Sequence, residues 1–264
     1  MKNFLQEIVN VKRKEVEALK LKRPLTYFVD SKRLLKGVRP FREAISAGGR
    51  MNLIAEIKKK SPSRKKGFFK KLDVTGLAEA YEKAGARAIS VLTDKKYFGG
   101  SISHIAEARR VASLPVLRKD FIIDEYQVYE SRYAGADAIL LIARILTNEQ
   151  IKSFMHLAKR IGMDSIVEIH DETDLEKALV SDAKLIGINN RDLDTFKVNI
   201  DNTFKIASRM PKEITKISES GIRSSDDIAR LREIGVNAVL IGSAFLEAGD
   251  IDAKVKEIMG ENKA

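Results

Sequence analysis

Eight short runs rich in Ile, Leu and Val punctuate this chain, and each stops abruptly at a residue equipped for chemistry. They end at Glu56-Ile57-Lys58, Leu92-Thr93-Asp94, Arg118-Lys119-Asp120, Ile142-Ala143-Arg144, Glu168-Ile169-His170, Asn189-Asn190-Arg191, Ser218-Glu219-Ser220 and Ile241-Gly242-Ser243. A strand buried on both faces reads as a near-continuous apolar run, so its polar end marks where the backbone leaves the core. The runs alternate with amphipathic stretches, which calls for a parallel sheet with right-handed crossovers. If all eight ends share one rim, the chain closes into an eight-stranded α/β barrel. An open doubly wound sheet is the structural alternative.

Strands are expected near 52–58, 88–92, 115–119, 138–142, 164–169, 185–189, 215–219 and 238–241. Between them, Thr147-Asn148-Glu149-Gln150 reads as a capping box that opens a helix closed by Gly162, and Asp124–Gln127 and Thr173–Glu176 read as the same device. An internal echo supports a ring of equal units. Ala84-Gly85-Ala86 returns as Ala134-Gly135-Ala136 and as Ile234-Gly235-Val236, its glycines 50 and then 100 residues apart. The 264 residues suit a single barrel of roughly 250. One domain spanning 1–264 is expected, with residues 1–50, broken by Pro24 and Pro40, forming a helical extension packed on the barrel.

Composition narrows the chemistry. Zero cysteine excludes disulfides and thiolate catalysis, and three scattered histidines (His104, His156 and His170) argue against a metal. The expectation is no metal and no cofactor. No stretch approaches the roughly 20 apolar residues of a membrane span, and the charged, amphipathic start is unlike a secretion signal. A cytoplasmic location follows as an expectation. A charged fraction of 32% without cysteine resembles a thermophile's composition. The net charge of +11 suits either nucleic acid or a polyanionic small substrate. Its densest stretch comprises Lys58, Lys59, Lys60, Arg64, Lys65, Lys66, Lys70 and Lys71. An RNA-binding module is the non-enzymatic reading of that stretch, although only Phe68 and Phe69 interleave it as stacking platforms.

The strand ends carry the chemical argument. Ser220-Gly221 after the seventh run and Gly242-Ser243 after the eighth form a small-residue cradle at the place where barrels bind phosphate. Strand alternation points Glu56 and Lys58 the same way, as it does Lys119 with Phe121 and Asn189 with Arg191. Lys119 reads as a general acid or a Schiff-base nucleophile, and a neighbouring carboxylate would keep it protonated for the first role. Glu168 reads as a base if partly desolvated.

Longer motifs surround these residues. Ile54-Ala55-Glu56-Ile57-Lys58-Lys59-Lys60-Ser61-Pro62-Ser63 resembles the first-strand signature of the indole-3-glycerol-phosphate synthases. Val91 through Ser101, Lys119-Asp120-Phe121, Val167-Glu168-Ile169, Gly187 through Leu193 and Glu219-Ser220-Gly221-Ile222 are similar to that family's later motifs, in the same order. The resemblance implies a TIM barrel that converts 1-(o-carboxyphenylamino)-1-deoxyribulose 5-phosphate to indole-3-glycerol phosphate, with no cofactor, nucleic acid, membrane or partner protein. It implies Lys119 as general acid and Glu168 as base, with Glu56 positioning Lys119 through an ion pair. Lys58 would bind the anionic substrate and donate a proton in dehydration. Asn189 and Arg191 would hold carboxylate and hydroxyl groups, and Glu219 the sugar hydroxyls or the cationic network. Phe98, Phe121 and Leu193 would form a slot for the aryl ring, and Ser61 would also contact substrate. Ser220, Gly221, Gly242 and Ser243 would take the phosphate. A phosphosugar aldolase or isomerase is the nearest alternative on the same fold.

Overall fold

Side chains alternate across a strand, so in a ring of parallel strands residues i and i+2 share either the interior or the helix-covered face. The eight apolar runs obey this around a closed circuit. In a computed structural model that describes residues 4–35, 37–62 and 71–260, the strands are β1 (Asn52–Ile57), β2 (Ala88–Leu92), β3 (Val116–Lys119), β4 (Ala138–Ile142), β5 (Asp164–Ile169), β6 (Leu185–Asn189), β7 (Thr215–Glu219) and β8 (Ala238–Ile241). Each pairs in parallel with its sequence neighbours, and β8 closes on β1, with Ile54 beside Leu240 on one side and Ala88 on the other. The architecture is a closed (β/α)8 barrel with an N-terminal helical extension. The open-sheet alternative is overturned, because the strands run in sequence order round a closed ring with no unpaired edge. Strand bounds match expectation to within one residue: β3 begins at Val116 because Pro115 has no N–H for the ladder.

Two apolar clusters result. Ile54, Leu117, Leu140, Ile166, Ile217 and Leu240 fill the ring. Leu53, Ile89, Val116, Ile139, Val167 and Val239 face outward beneath the helices. The echoed glycines Gly85, Gly135 and Gly235 all have positive φ where a helix ends and the next strand approaches, the left-handed geometry that glycine adopts without penalty. Thr147 and Gln150 form the expected capping box. Thr173–Glu176 does not: the helix Glu172–Val180 starts earlier, and Asp171 caps it by accepting from the Asp174 amide. Asp124 caps the helix Glu125–Ala134 by accepting from Tyr126, while Gln127 reaches past it to the Ile123 amide.

The extension touches both ends of the barrel. Phe41 and Ile45, on the helix Phe41–Ser46, join the interior cluster. Asn52 at the start of β1 ties that helix down by donating to the Ile45 and Ala47 carbonyls at 3.0 Å. At the other end, the helix Phe4–Lys22 buries Leu5 and Ile8 in the same cluster. It also buries Lys12, only 5% exposed, whose Nζ lies 2.8 Å from Asp94 and 3.0 Å from Asp120 at the ends of β2 and β3. Burial alone would lower this lysine's pKa, but Asp120 and Asp94 raise it above the ordinary range. Of the basic stretch, Arg64, Lys65, Lys66 and Lys70, with Ser63, Phe68 and Phe69, lie outside the described residues.

Removing one partner of a buried ion pair strands the other charge. Lys12→Met is therefore expected to destabilise the fold by about 3–5 kcal/mol, read from the midpoint of urea denaturation.

Candidate active site

Glu56, Lys119, Glu168 and Glu219 end the inward-facing rows of β1, β3, β5 and β7. Each row runs through an interior apolar residue two positions earlier: Ile54, Leu117, Ile166 and Ile217. In such barrels one interior layer is contributed by alternate strands, so these four residues form the topmost layer of the odd strands. The Lys119 Nζ lies 2.8 Å from Glu168 Oε2 and 2.8 Å from Glu219 Oε2. The resemblance implied an ion pair between Glu56 and Lys119, but Glu56 acts on Lys119 only from further away, and its Oε1 instead accepts from Lys58 Nζ at 2.5 Å. The two residues share one side of the chain, and the ammonium two positions along is the nearer cation.

Burial alone would discharge Lys119. The carboxylates of Glu168, Glu219 and Glu56 outweigh it and push its pKa above the ordinary lysine value. The two carboxylates that clamp it are driven apart. Burial would raise Glu168, but Lys119 and His170, with an Asn189 hydrogen bond, hold it down to about 2. Burial raises Glu219 to about 7, with Glu168 and Glu56 repelling its charge, against the pull of Lys119. Among the described residues Glu219 Oε1 has no hydrogen-bond partner. It lies directly over Gly187 of β6, where any Cβ would collide with it.

A cavity of about 810 Å³ opens above this layer, and all fifteen residues singled out in the sequence line it. Asn189 is fixed by the Arg191 amide, which donates to its Oδ1 at 3.0 Å, leaving its amide group to Glu168. Arg191 Nη1 donates to the Phe196 carbonyl at 3.2 Å. Phe98 and Phe121 face each other with ring centroids 6.2 Å apart, and Leu193 lies with them. In the cradle, Ser220 and Gly221 have φ of 67° and 86°, consecutive left-handed residues that turn backbone amides to one side. Asn190 braces this loop by donating to the Ser220 carbonyl at 3.0 Å and to Ser218 Oγ at 3.1 Å. A Cβ at Gly242 would lie 2.6 Å from Glu56 Oε1, so the eighth loop needs glycine to pass the carboxylate. The short helix Ser243–Leu246 follows at once.

Three strand-end residues do not line the cavity. Asp94 caps the helix Lys95–Phe98, Arg144 pairs with Asp171 at 2.6 Å, and His170 sits behind Glu168. Conversely, Phe4, Ile8, Phe196, Arg223 and Lys254 line the cavity without having been singled out. Phe4 stacks edgewise on Phe196 at 5.2 Å, a contact between distant segments that no local motif announces. Gly187 had a signal: it precedes Asn189 by two and so shares its inward face. Among the described residues no His, Asp and Glu group is arranged to hold a metal ion, and no helix is long and apolar enough to cross a membrane.

The raised Glu219 has a sign that can be measured. The folded chain keeps a proton that an ordinary glutamate, at 4.5, gives up, and releases it only near 7. Stability contributed by this group is therefore present at pH 4.5 and lost as the pH rises through about 7. Glu219→Gln is expected to flatten that decline in denaturation free energy measured across the same window.

The family model described as indole-3-glycerol phosphate synthase matches residues 5–258. The indole-3-glycerol phosphate synthase of Acetivibrio thermocellus is 48% identical over 218 residues, covering 82% of this chain and 83% of that protein. The one from Caldanaerobacter subterraneus subsp. tengcongensis is 44% identical over 260 residues, covering 97% and 99%. Among solved structures, a 3-hexulose-6-phosphate synthase superposes with a TM-score of 0.61 at 14% identity, over 80% of this chain and 99% of that one, a likeness of fold alone. With a matching family model over nearly its whole length, this chain belongs to the indole-3-glycerol phosphate synthase family.

Proposed function

We propose that this protein closes the indole ring: it converts 1-(o-carboxyphenylamino)-1-deoxyribulose 5-phosphate to indole-3-glycerol phosphate, CO₂ and water in tryptophan biosynthesis. The observation that carries this reading is one ammonium, Lys119, clamped between two buried carboxylates at 2.8 Å each, in a cavity that also holds an apolar slot and a glycine-rich cradle. The substrate has matching ends. Its phosphate dianion fits the loops around Ser220, Gly221, Gly242 and Ser243, and its aryl ring fits Phe98, Phe121 and Leu193. Anchoring both ends restricts a flexible molecule to conformers in which the aryl carbon meets the ketose carbonyl.

In this scheme Lys119, fully charged, protonates the carbonyl oxygen as the ring carbon attacks. Loss of CO₂ restores aromaticity, so the carbon skeleton itself takes the electrons and no coenzyme is needed. Water then leaves: the departing hydroxyl takes a proton from Lys58 or Lys119, and Glu168, kept ionised, accepts one from the carbon skeleton. Arg191 suits the planar carboxylate of the substrate, with Asn189 beside it, Ser61 at the cavity wall and Glu56 orienting Lys58. Glu219 supplies a proton store next to the acid. The clamp disfavours the aldolase alternative, since a Schiff-base lysine must be neutral to attack. We further infer that the enzyme works in the cytoplasm, without partner protein or nucleic acid.

Purified protein incubated with the carboxyphenylamino sugar phosphate should generate indole fluorescence with neither metal nor coenzyme added. A lysine adduct trapped by borohydride, with no indole formed, would overturn the reading. Lys119→Met should lower kcat by about 10²–10⁴-fold, as loss of a general acid does, with little change in KM. Gly221→Ala should act in the opposite sense, mainly raising KM, because a left-handed φ of 86° and a contact with Val198 leave no room for a methyl group.

A further inference from the structure

His170 is a strand-end group, directly behind Glu168, that the scheme above does not use. Its side chain is 4% exposed, and among the described residues neither ring nitrogen has a hydrogen-bond partner. Buried polar groups are nearly always satisfied, so two orphans on one ring call for an explanation. The ring lies between two carboxylates: Nε2 is 3.6 Å from Glu168 Oε1, and Nδ1 is 3.6 Å from Asp174 Oδ2. Glu168 thus has its other oxygen on Lys119 and this one facing the imidazole.

The surroundings show what holds the ring. Asp174, on the helix Glu172–Val180, accepts from the His170 backbone amide at 3.0 Å and lies 3.4 Å from Arg144 Nε, in the turn after β4. From the helix Asp201–Ala207 the facing group is uncharged: Asn202 donates to the His170 carbonyl at 3.0 Å. From β6 it is Asn189, also uncharged, on the same Glu168 carboxylate. The charged groups around the imidazole are therefore Glu168, Asp174 and, through them, Lys119 and Arg144. A neutral imidazole carries one N–H and one lone pair, and could serve only one of these carboxylates. Each nitrogen faces one carboxylate at 3.6 Å, and a shift of a few tenths of an ångström brings either into hydrogen-bond range.

We propose that His170 is a positioning residue: braced by Asp174, it holds the second oxygen of Glu168 so that this carboxylate keeps its place when Lys119 turns to the substrate. The proposal rests on the reading of Lys119 and Glu168 as the acid–base pair. During turnover Lys119 must leave the clamp to reach a carbonyl oxygen, and at that moment Glu168 loses its main cation. Beside the uncharged Asn189 amide, His170 is what then keeps it oriented, and it already contributes to holding Glu168 ionised.

The test uses His170→Phe, which keeps an aromatic ring and removes both ring nitrogens, beside His170→Gln and Asp174→Asn. For His170→Phe, kcat should fall about 10- to 100-fold, as for a misplaced catalytic group, with KM little changed. The acid limb of kcat, set by the base Glu168, should move up by about half a pH unit once His170 no longer helps to hold that carboxylate ionised. Asp174→Asn should show a smaller change of the same kind. In the substrate-free protein, the ¹⁵N resonances of the His170 ring should respond to both Glu168→Gln and Asp174→Asn. Should His170→Phe not fold, His170→Gln carries the same kinetic expectation. Wild-type kcat and acid limb in a folded His170 variant would overturn the proposal. So would a loss of activity that follows melting temperature with no shift of the limb, or ring resonances indifferent to Glu168→Gln. A wild-type protein that makes no indole would overturn the reaction assignment instead, while the ¹⁵N response would still decide the contact.

Discussion

One lysine held between two buried carboxylates is the interaction around which this mouth is organised. Lys119 and its partners are 49 and 100 residues apart in the chain, and only a closed ring whose alternate strands feed one interior layer brings them within 3 Å. Apolar side chains beneath remove water from one side of the cluster, which makes each charge depend on its neighbours more strongly than in solvent. The consequence is the split between Glu168 and Glu219: equal distances to the same ammonium, but only one carboxylate with His170 and Asn189 to stabilise its charge. Two like groups pushed in opposite directions can divide acid and base work between them.

Charge balance explains the rest of the cavity. Lys58, Lys119 and Arg191 match Glu56, Glu168 and Glu219 one for one, and a proton on Glu219 leaves the mouth positive, ready for an anion. Further out, Lys12 settles Asp94 and Asp120. Asp94 in turn accepts from the Tyr97 and Phe98 amides, while Asp120 accepts from Phe121. The apolar slot of Phe98 and Phe121 is thus built on carboxylates that a helix outside the ring helps to neutralise, which ties the extension to the site by electrostatics as well as by packing.

Much of this was legible before any coordinates. Apolar runs with polar ends located all eight strands, and repeating glycines marked three of the helix ends, because both signals are local and steric. The fifteen cavity residues were legible because strand parity gives Glu56, Lys58, Lys119, Phe121, Asn189 and Arg191 a side, loop position after strands seven and eight marks the cradle, and the family resemblance supplies the rest. What escaped depends on reach and on contacts between distant segments. The partner of Glu56 is decided by position: Lys58 lies two residues along the same chain, while Lys119 is held by Glu168 and Glu219. Phe4 and Ile8 enter the cavity from a helix whose docking angle no periodicity encodes. The cap of the helix Glu172–Val180 was placed two residues late, since Asp171 and Thr173 are both competent caps and only the backbone turn at Asp171 selects between them.

Gly187 shows how far the catalytic inventory extends beyond reactive groups. A hydrogen atom there, where any other residue has a carbon, is what lets a Glu219 carboxylate oxygen rest against the backbone of β6. The seat of this acid is a missing methyl group. A search for chemistry by functional group alone would pass over it, and any attempt to graft this charge cluster onto another barrel must transplant that emptiness with the side chains.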